Sequence, residues 1–170
     1  MKTCRLCGQA HGLGRRQAFR IQAATPAKLR RLLAGLTAAQ LRRRPVPRKW
    51  SLAEIATHLF DCEVAYGFRY RKILAEPGSL LAPFDQNRWA AGLDYRRQNV
   101  QATLDAFVAL RRAHLKLLAG TPARQWRRWA RHPEYKGYRY ALEPAFIHLA
   151  AHDLNHLAQV RALRRRWLAR

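Results

Sequence analysis

No apolar run in this chain approaches the roughly 18 residues needed to cross a bilayer; the longest are only a few residues. The start, Met1-Lys2-Thr3-Cys4-Arg5-Leu6-Cys7-Gly8, has no secretory apolar region, so the expected location is the cytoplasm. Cysteine is scarce and odd in number, with three residues in a chain showing no export signal, which argues against a disulfide framework. Gly12-Leu13-Gly14 lacks both the third glycine and the preceding strand of a dinucleotide fingerprint, and that reading is dropped. Acid is scarce as well: 10 aspartates and glutamates stand against 33 basic residues, for a net charge of +23.

Such a charge ordinarily points to nucleic acid. Here the basic residues are spread through nearly every segment rather than gathered in a stripe, and 27 of the 33 are arginine. Abundant Arg, Ala, Leu and Trp with few Lys, Ile and Asn is what a GC-rich genome writes onto solvated helix faces. Weak, salt-sensitive nucleic-acid association is therefore expected in preference to a specific site. The same field could steer an anionic substrate.

At 170 residues the chain suits one domain around one core. Residues 1–20 read as an appendage in which Gly8, Gly12 and Gly14 interrupt any period, and residues 21–170 as the folded unit. Cys4-x-x-Cys7 followed by His11 is half of a zinc knuckle. A closed zinc site needs four ligands and nothing nearby completes it, so a loose, oxidisable tail stands beside the borrowed-ligand reading.

Apolar spacing predicts four long helices. Thr25-Pro26 places a cap residue before a proline and marks the start of the first, with Leu29, Leu32, Leu33 and Leu36 following. Thr37-Ala38-Ala39-Gln40 is a capping box for a short piece, and Pro45 and Pro47 then enforce an extended link. Ser51-x-x-Glu54 is a second capping box and starts the next helix, which gives Glu54 a structural role. Pro77-Gly78 ends it, and Ser79 to Leu93 forms a crossover loop. A third helix is expected over Asp94–Ala119, with Gly120 as its stop, and a fourth over Glu143–Trp167. Thr121-Pro122 signals a short helix between them.

His152 and His156, four residues apart in Ala151-His152-Asp153-Leu154-Asn155-His156-Leu157-Ala158-Gln159-Val160, share a helix face and can aim ring nitrogens at one ion. His58 occupies a second amphipathic segment, Trp50 to Asp61. Cys62, one turn after His58, reads as a reactive thiol, an extra ligand or an inert core residue. His114 lies near a polar-apolar boundary and is expected at the surface or its border. Asp153 is expected to pair with an arginine on the helix surface, and neither Asp61 nor Glu63 lies at an angle suited to orienting His58.

Trp50-Ser51-x-x-Glu54-Ile55-x-x-His58-Leu59-x-Asp61 together with His152-Asp153-x-x-His156-Leu157-x-Gln159 resembles the DinB/YfiT-like superfamily, over roughly Leu29 to Leu163. The resemblance implies an all-α fold, a DinB-like four-helix bundle with a long crossover loop and short extra helices. It implies that His58, His152 and His156 hold a divalent metal ion, zinc or nickel by the family's habit. Gln159 completes the family pattern. That selects His152 and His156 from the ladder His148, His152, His156, which rises about 12 Å and is too long for one ion to use all three. His148, Gln159 and Cys62 are then second-rank pocket residues. Asp85, Asn87, Trp89 and the segment His132-Pro133-Glu134-Tyr135 fall where the family borders its pocket.

Three neutral imidazoles with an open position form a catalytic rather than a structural metal set. Relatives of this kind include thiol-dependent S-transferases, and water could replace the thiol as nucleophile. The expected function is thus a metal-dependent thiol S-transferase or hydrolase acting on a small molecule, with a low-molecular-weight thiol as a candidate partner. The family's habit also implies a homodimer. The rival is a basic nucleic-acid-associated or stress-related binding protein whose metal site is structural or vestigial.

Overall fold

The computed structural model describes residues 12–135 and 137–169; Cys4, Cys7 and His11 lie outside them. Six α-helices run in order: α1 (Arg15–Leu33), α2 (Ala38–Arg42), α3 (Leu52–Ala75), α4 (Gln86–Gly92), α5 (Val100–Ala119) and α6 (Leu142–Leu168). A short 3₁₀ turn (Ala123–Arg127) and two two-residue strands, β1 (Trp129–Ala130) and β2 (Tyr140–Ala141), fill the link before α6. The strands pair antiparallel, Ala130 opposite Tyr140. No helix among the described residues is long and apolar enough to cross a membrane.

The four long helices form the bundle. α1 packs on α6 and α5, and α3 packs on α5 and α6. Helices consecutive among the long four, α1 and α3 or α5 and α6, thus sit diagonally. A diagonal step needs a longer connection than a hairpin does. α2 occupies the first such link, and the 3₁₀ turn with the small hairpin occupies the second.

Local chemistry sets several boundaries. Ser51 Oγ accepts from the Glu54 amide, and the Glu54 carboxylate accepts from the Ser51 amide at 2.8 Å, as the capping box requires. Arg44 closes over the same carboxylate, its Nε 3.1 Å from Oε2. α5 begins later than apolar spacing suggests, at Val100. Asp94 takes φ 45°, which helix geometry forbids, and Asn99 Oδ1 then caps the Gln101 and Ala102 amides at 3.0 and 3.1 Å.

The first helix also departs from the sequence expectation, beginning at Arg15 rather than at Thr25. Ala18 is in the core and Phe19 packs against it, so residues 15–20 belong to the bundle and not to an appendage. Pro26 lies inside the helix, where its missing N–H strands the Gln22 carbonyl. That carbonyl is met instead by Arg111 Nη1 from α5, at 2.9 Å.

Arg111 belongs to a polar layer that divides the core in two. Its Nε donates to Glu63 of α3 at 2.6 Å, and its Nη1 to Asp153 of α6 at 2.7 Å. His114 Nδ1 meets the other Glu63 oxygen at 2.6 Å. On one side lie Leu29, Leu59, Phe107 and Leu157; on the other lie Ala18, Tyr66, Leu118 and Leu149. Two sequence expectations are corrected here. Asp153 does pair with an arginine, but in the core, and His114 is buried rather than at the surface. Both are enclosed because their partners arrive from other helices.

His114 crosses α3 at Gly67, where a Cβ would fall 1.9 Å from its Cε1. Gly67→Ala gains roughly 1 kcal/mol of helix propensity but overpacks by about 1–3 kcal/mol and dislodges His114 from Glu63. The expected outcome is net destabilisation, read as a lower thermal midpoint with two-state melting retained. An unchanged or higher midpoint would contradict the close approach.

Candidate metal centre

α3 and α6 face each other along the side of the bundle covered by the α3–α5 crossover. His58 points from α3, one turn before Cys62, and is 1% exposed. His152 and His156 point from α6. Their Nε2 atoms converge: His58 to His152 at 3.1 Å and His156 to His152 at 3.1 Å. One ring nitrogen from each lies within 4.8 Å of the others. Two nitrogens on a common tetrahedral zinc, each about 2.1 Å from the ion, stand roughly 3.4 Å apart, so the spacing is close to that of a ligand set.

The protons of these rings support the same fit. His156 Nδ1 lies 2.9 Å from Gln159 Oε1, which makes Nδ1 the protonated nitrogen and leaves Nε2 as a lone pair. His152 Nε2 has one proton at most, yet it touches two neighbours. Unless one N–H is shared, lone pair faces lone pair or proton faces proton. A cation accepting all three lone pairs removes the conflict. Gln159 thereby orients one ring as a second-layer partner should. His152 Nδ1 is buried without a partner among the described residues, so no hydrogen bond at that atom orients the ring.

Burial disfavours charge on all three rings. Desolvation, together with the neighbouring His156, lowers the His58 pKa to about 3. His152 is held well below the usual histidine range by desolvation and by His156 and His58, and His156 is lowered by desolvation against the opposing hydrogen bond from Gln159. The rings are therefore neutral near pH 7, the state a metal requires. Cys62 is different: burial, with Asp153 nearby, pushes its thiol far above the ordinary range, so it stays protonated. Its sulfur lies 3.5 Å from His58 Nε2 but outside the three-histidine group.

Two cavities meet at His152. The outer one, of about 640 Å³, is lined by His152, His156, Gln159, Trp50, Arg48 and Lys49. The inner one, about 470 Å³, includes Cys62, His148, His132, Glu134 and Tyr135. Gln86 and Asn87, at the start of α4, line both. Asp85 lines the inner cavity and caps α4, and Trp89 packs edge-on against Phe84 at 4.6 Å. The segment at His132 and the start of the crossover helix thus line the inner cavity. His148 stacks at 6.1 Å on Tyr66, outside the three-histidine group.

Sequence reasoning gave no role to Trp50 or Phe84. Trp50 packs 4.7 Å from the His58 ring and stacks at 6.5 Å on His156, and Phe84 stacks at 6.4 Å on His58. Trp50 had two available signals, its place directly before the Ser51 cap and its position at the head of the motif that resembles the family. Phe84 had none, because a crossover loop has no period.

The neutral rings give an acid signature to the metal-free chain. A histidine with a native pKa below its unfolded value of about 6.5 leaves the unfolded state binding more protons between the two values, so stability falls as pH drops from about 6.5 toward 3. Each such ring contributes up to about 1.4 kcal/mol per pH unit. Urea midpoints of metal-free protein should fall from pH 7 to pH 5, and more gently in His58→Phe. Equal slopes for the two would contradict burial of a neutral His58.

Comparison with known proteins places the fold and the family. A protein of Bacillus subtilis (strain 168) named "Putative metal-dependent hydrolase YfiT" is 26% identical over 141 residues, 83% of this chain and 79% of the relative. A Geobacillus kaustophilus (strain HTA426) protein, "Putative metal-dependent hydrolase GK0616", is 27% identical over the same shares. The solved structure of YfiT from Bacillus subtilis, described as having an unusual four-helix bundle topology, superposes with a TM-score of 0.85 at 21% identity and covers 98% of both chains. The family profile described as the DinB superfamily matches residues 23–160, most of the chain, and the chain belongs to that superfamily.

Proposed function

We propose that the chain is a metal-dependent hydrolase of a small molecule, holding a divalent zinc or nickel ion on His58, His152 and His156. The observation that carries this reading is the convergence of three histidine ring nitrogens within 4.8 Å of one another, with His152 and His156 lining an accessible cavity. When bound, such an ion supplies Lewis-acid chemistry, lowering the pKa of water toward about 7 and polarising a carbonyl or phosphoryl group. The names of the relatives support hydrolysis as the reaction class.

The chain's own groups have separate tasks. Gln159 fixes the His156 tautomer, and Trp50 and Phe84 brace the His58 ring. Trp50 and Ile55 give the outer cavity an apolar wall, while Arg48 and Lys49 make its mouth cationic. Neutral ligands leave the ion's double charge uncompensated, and with the net charge of +23 this favours anionic or electron-rich substrates. Cys62, protonated and buried, is not the nucleophile in this scheme.

Elemental analysis of protein purified without chelator tests the proposal. About one equivalent of zinc or nickel is expected per chain, lost in His58→Ala, together with metal-dependent cleavage of an activated ester such as p-nitrophenyl acetate. A low-molecular-weight thiol added to the same assay separates the two chemistries: thiol-independent turnover marks a hydrolase, and turnover that requires the thiol marks a transferase. Metal-free wild-type protein, or metal content unchanged in His58→Ala, would contradict the assignment.

A further inference from the structure

Among the described residues two arginines are buried, and one of the two is met by acid. Arg111 lies between Glu63 and Asp153. Arg69, on α3, is 7% exposed, and none of the ion pairs among the described residues includes it. Its guanidinium carbon stands 5.1 Å over the Tyr66 ring and 5.8 Å from that of Tyr140. Its hydrogen bond to Tyr140 Oη is long, at 3.5 Å. Burying a guanidinium without an anion is costly. Arg69 also lines the inner cavity, which shares His152 with the outer one.

A second polar group in that wall has one unmet atom among the described residues. His132 is 3% exposed, and its Nδ1 accepts the Glu134 amide at 3.3 Å. The proton of the neutral ring therefore sits on Nε2, which is buried with no hydrogen-bond partner among the described residues. The charge on Arg69 and burial both keep this ring neutral, burial being the larger effect. A cationic fork and an unpartnered N–H donor in one cavity wall are the elements of an oxyanion-binding pocket.

We propose that the inner cavity is the subsite for a carboxylate group of the substrate, bound by Arg69 with His132 as a second donor. The proposal rests on the hydrolase reading above and adds the substrate class: a small, elongated carboxylic acid derivative whose reacting bond lies toward His152. Carboxylate is favoured over phosphate by charge and by shape. One guanidinium offers a planar two-pronged match to a monoanion. The cavity's other charged lining residues, Asp85 and Glu134, are carboxylates, which would repel a dianion more strongly. Arg69 lies eleven residues, about 16 Å of helix rise, beyond His58, and helical side chains lean back toward the N-terminus. The anionic end and the reacting bond therefore occupy opposite ends of the molecule.

Calorimetric titration of metal-free protein at physiological salt tests this without using activity. Butyrate is the probe, with butyramide and inorganic phosphate for comparison. Butyrate should bind at least tenfold more tightly than butyramide and more tightly than phosphate. Arg69→Met should weaken butyrate at least tenfold, and Arg69→Lys, which keeps the charge and loses the fork, should weaken it severalfold while preserving the melting transition. Arg48→Ala, at the outer mouth, should leave it unchanged. Butyrate binding within twofold of wild type in Arg69→Lys and Arg69→Met, an equal loss in Arg48→Ala, or tighter binding of phosphate would overturn the assignment. Butyrate binding retained in His58→Ala supports the subsite independently of the metal, so failure of the metal reading and failure of this one are told apart.

Discussion

Arg111 reaches three of the four long helices from the fourth, donating to Glu63 of α3, Asp153 of α6 and the Gln22 carbonyl of α1. With every partner buried, this layer carries high stakes: leaving one of its charges unpaired costs about 3–5 kcal/mol, against a total stability of about 5–15 kcal/mol for a domain. Burial pushes Glu63 upward, but Arg111 and His114 outweigh it and hold its carboxyl below the usual range. Asp153, enclosed as deeply, is raised by burial despite Arg111.

The same layer sets the geometry of the three-histidine cluster. Asp153 directly follows His152 on α6, and Glu63 lies five residues after His58 on α3. A guanidinium tied to both carboxylates fixes the axial register of the two helices, and that register brings His58 Nε2 to within 3.1 Å of His152 Nε2. A slip of one residue on either helix would move a ring by about 1.5 Å and 100°, enough to dissolve the cluster. Fold and site therefore share one constraint. The aromatic packing of Trp50 and Phe84 refines ring angles within a register already chosen.

Local rules carried much of this into the sequence. The Ser51–Glu54 capping box needs only residues three apart, and four apolar periods of helical length are enough for a bundle. The three histidines were readable because two share a face and the third stands in a segment resembling a known family. Thr25-Pro26 misled because the pair usually opens a helix; here Pro26 is tolerated in mid-helix because Arg111, 85 positions later, takes the stranded carbonyl. His114 and Asp153 were placed at the surface for a related reason. A polar residue is buried when its partner arrives from another helix, and no spacing rule reports that. Arg69 is one of 27 arginines and differs from the rest only in what surrounds it.

X-ray absorption at the K-edge of the bound metal measures the central claim most directly, because it reads the atoms around the ion. The account predicts three nitrogen scatterers with imidazole multiple scattering at about 2.0–2.1 Å, completed by oxygen, and no sulfur. A sulfur shell near 2.3 Å, from Cys62 or from the Cys4–Cys7 pair, or fewer than three imidazoles, would contradict it.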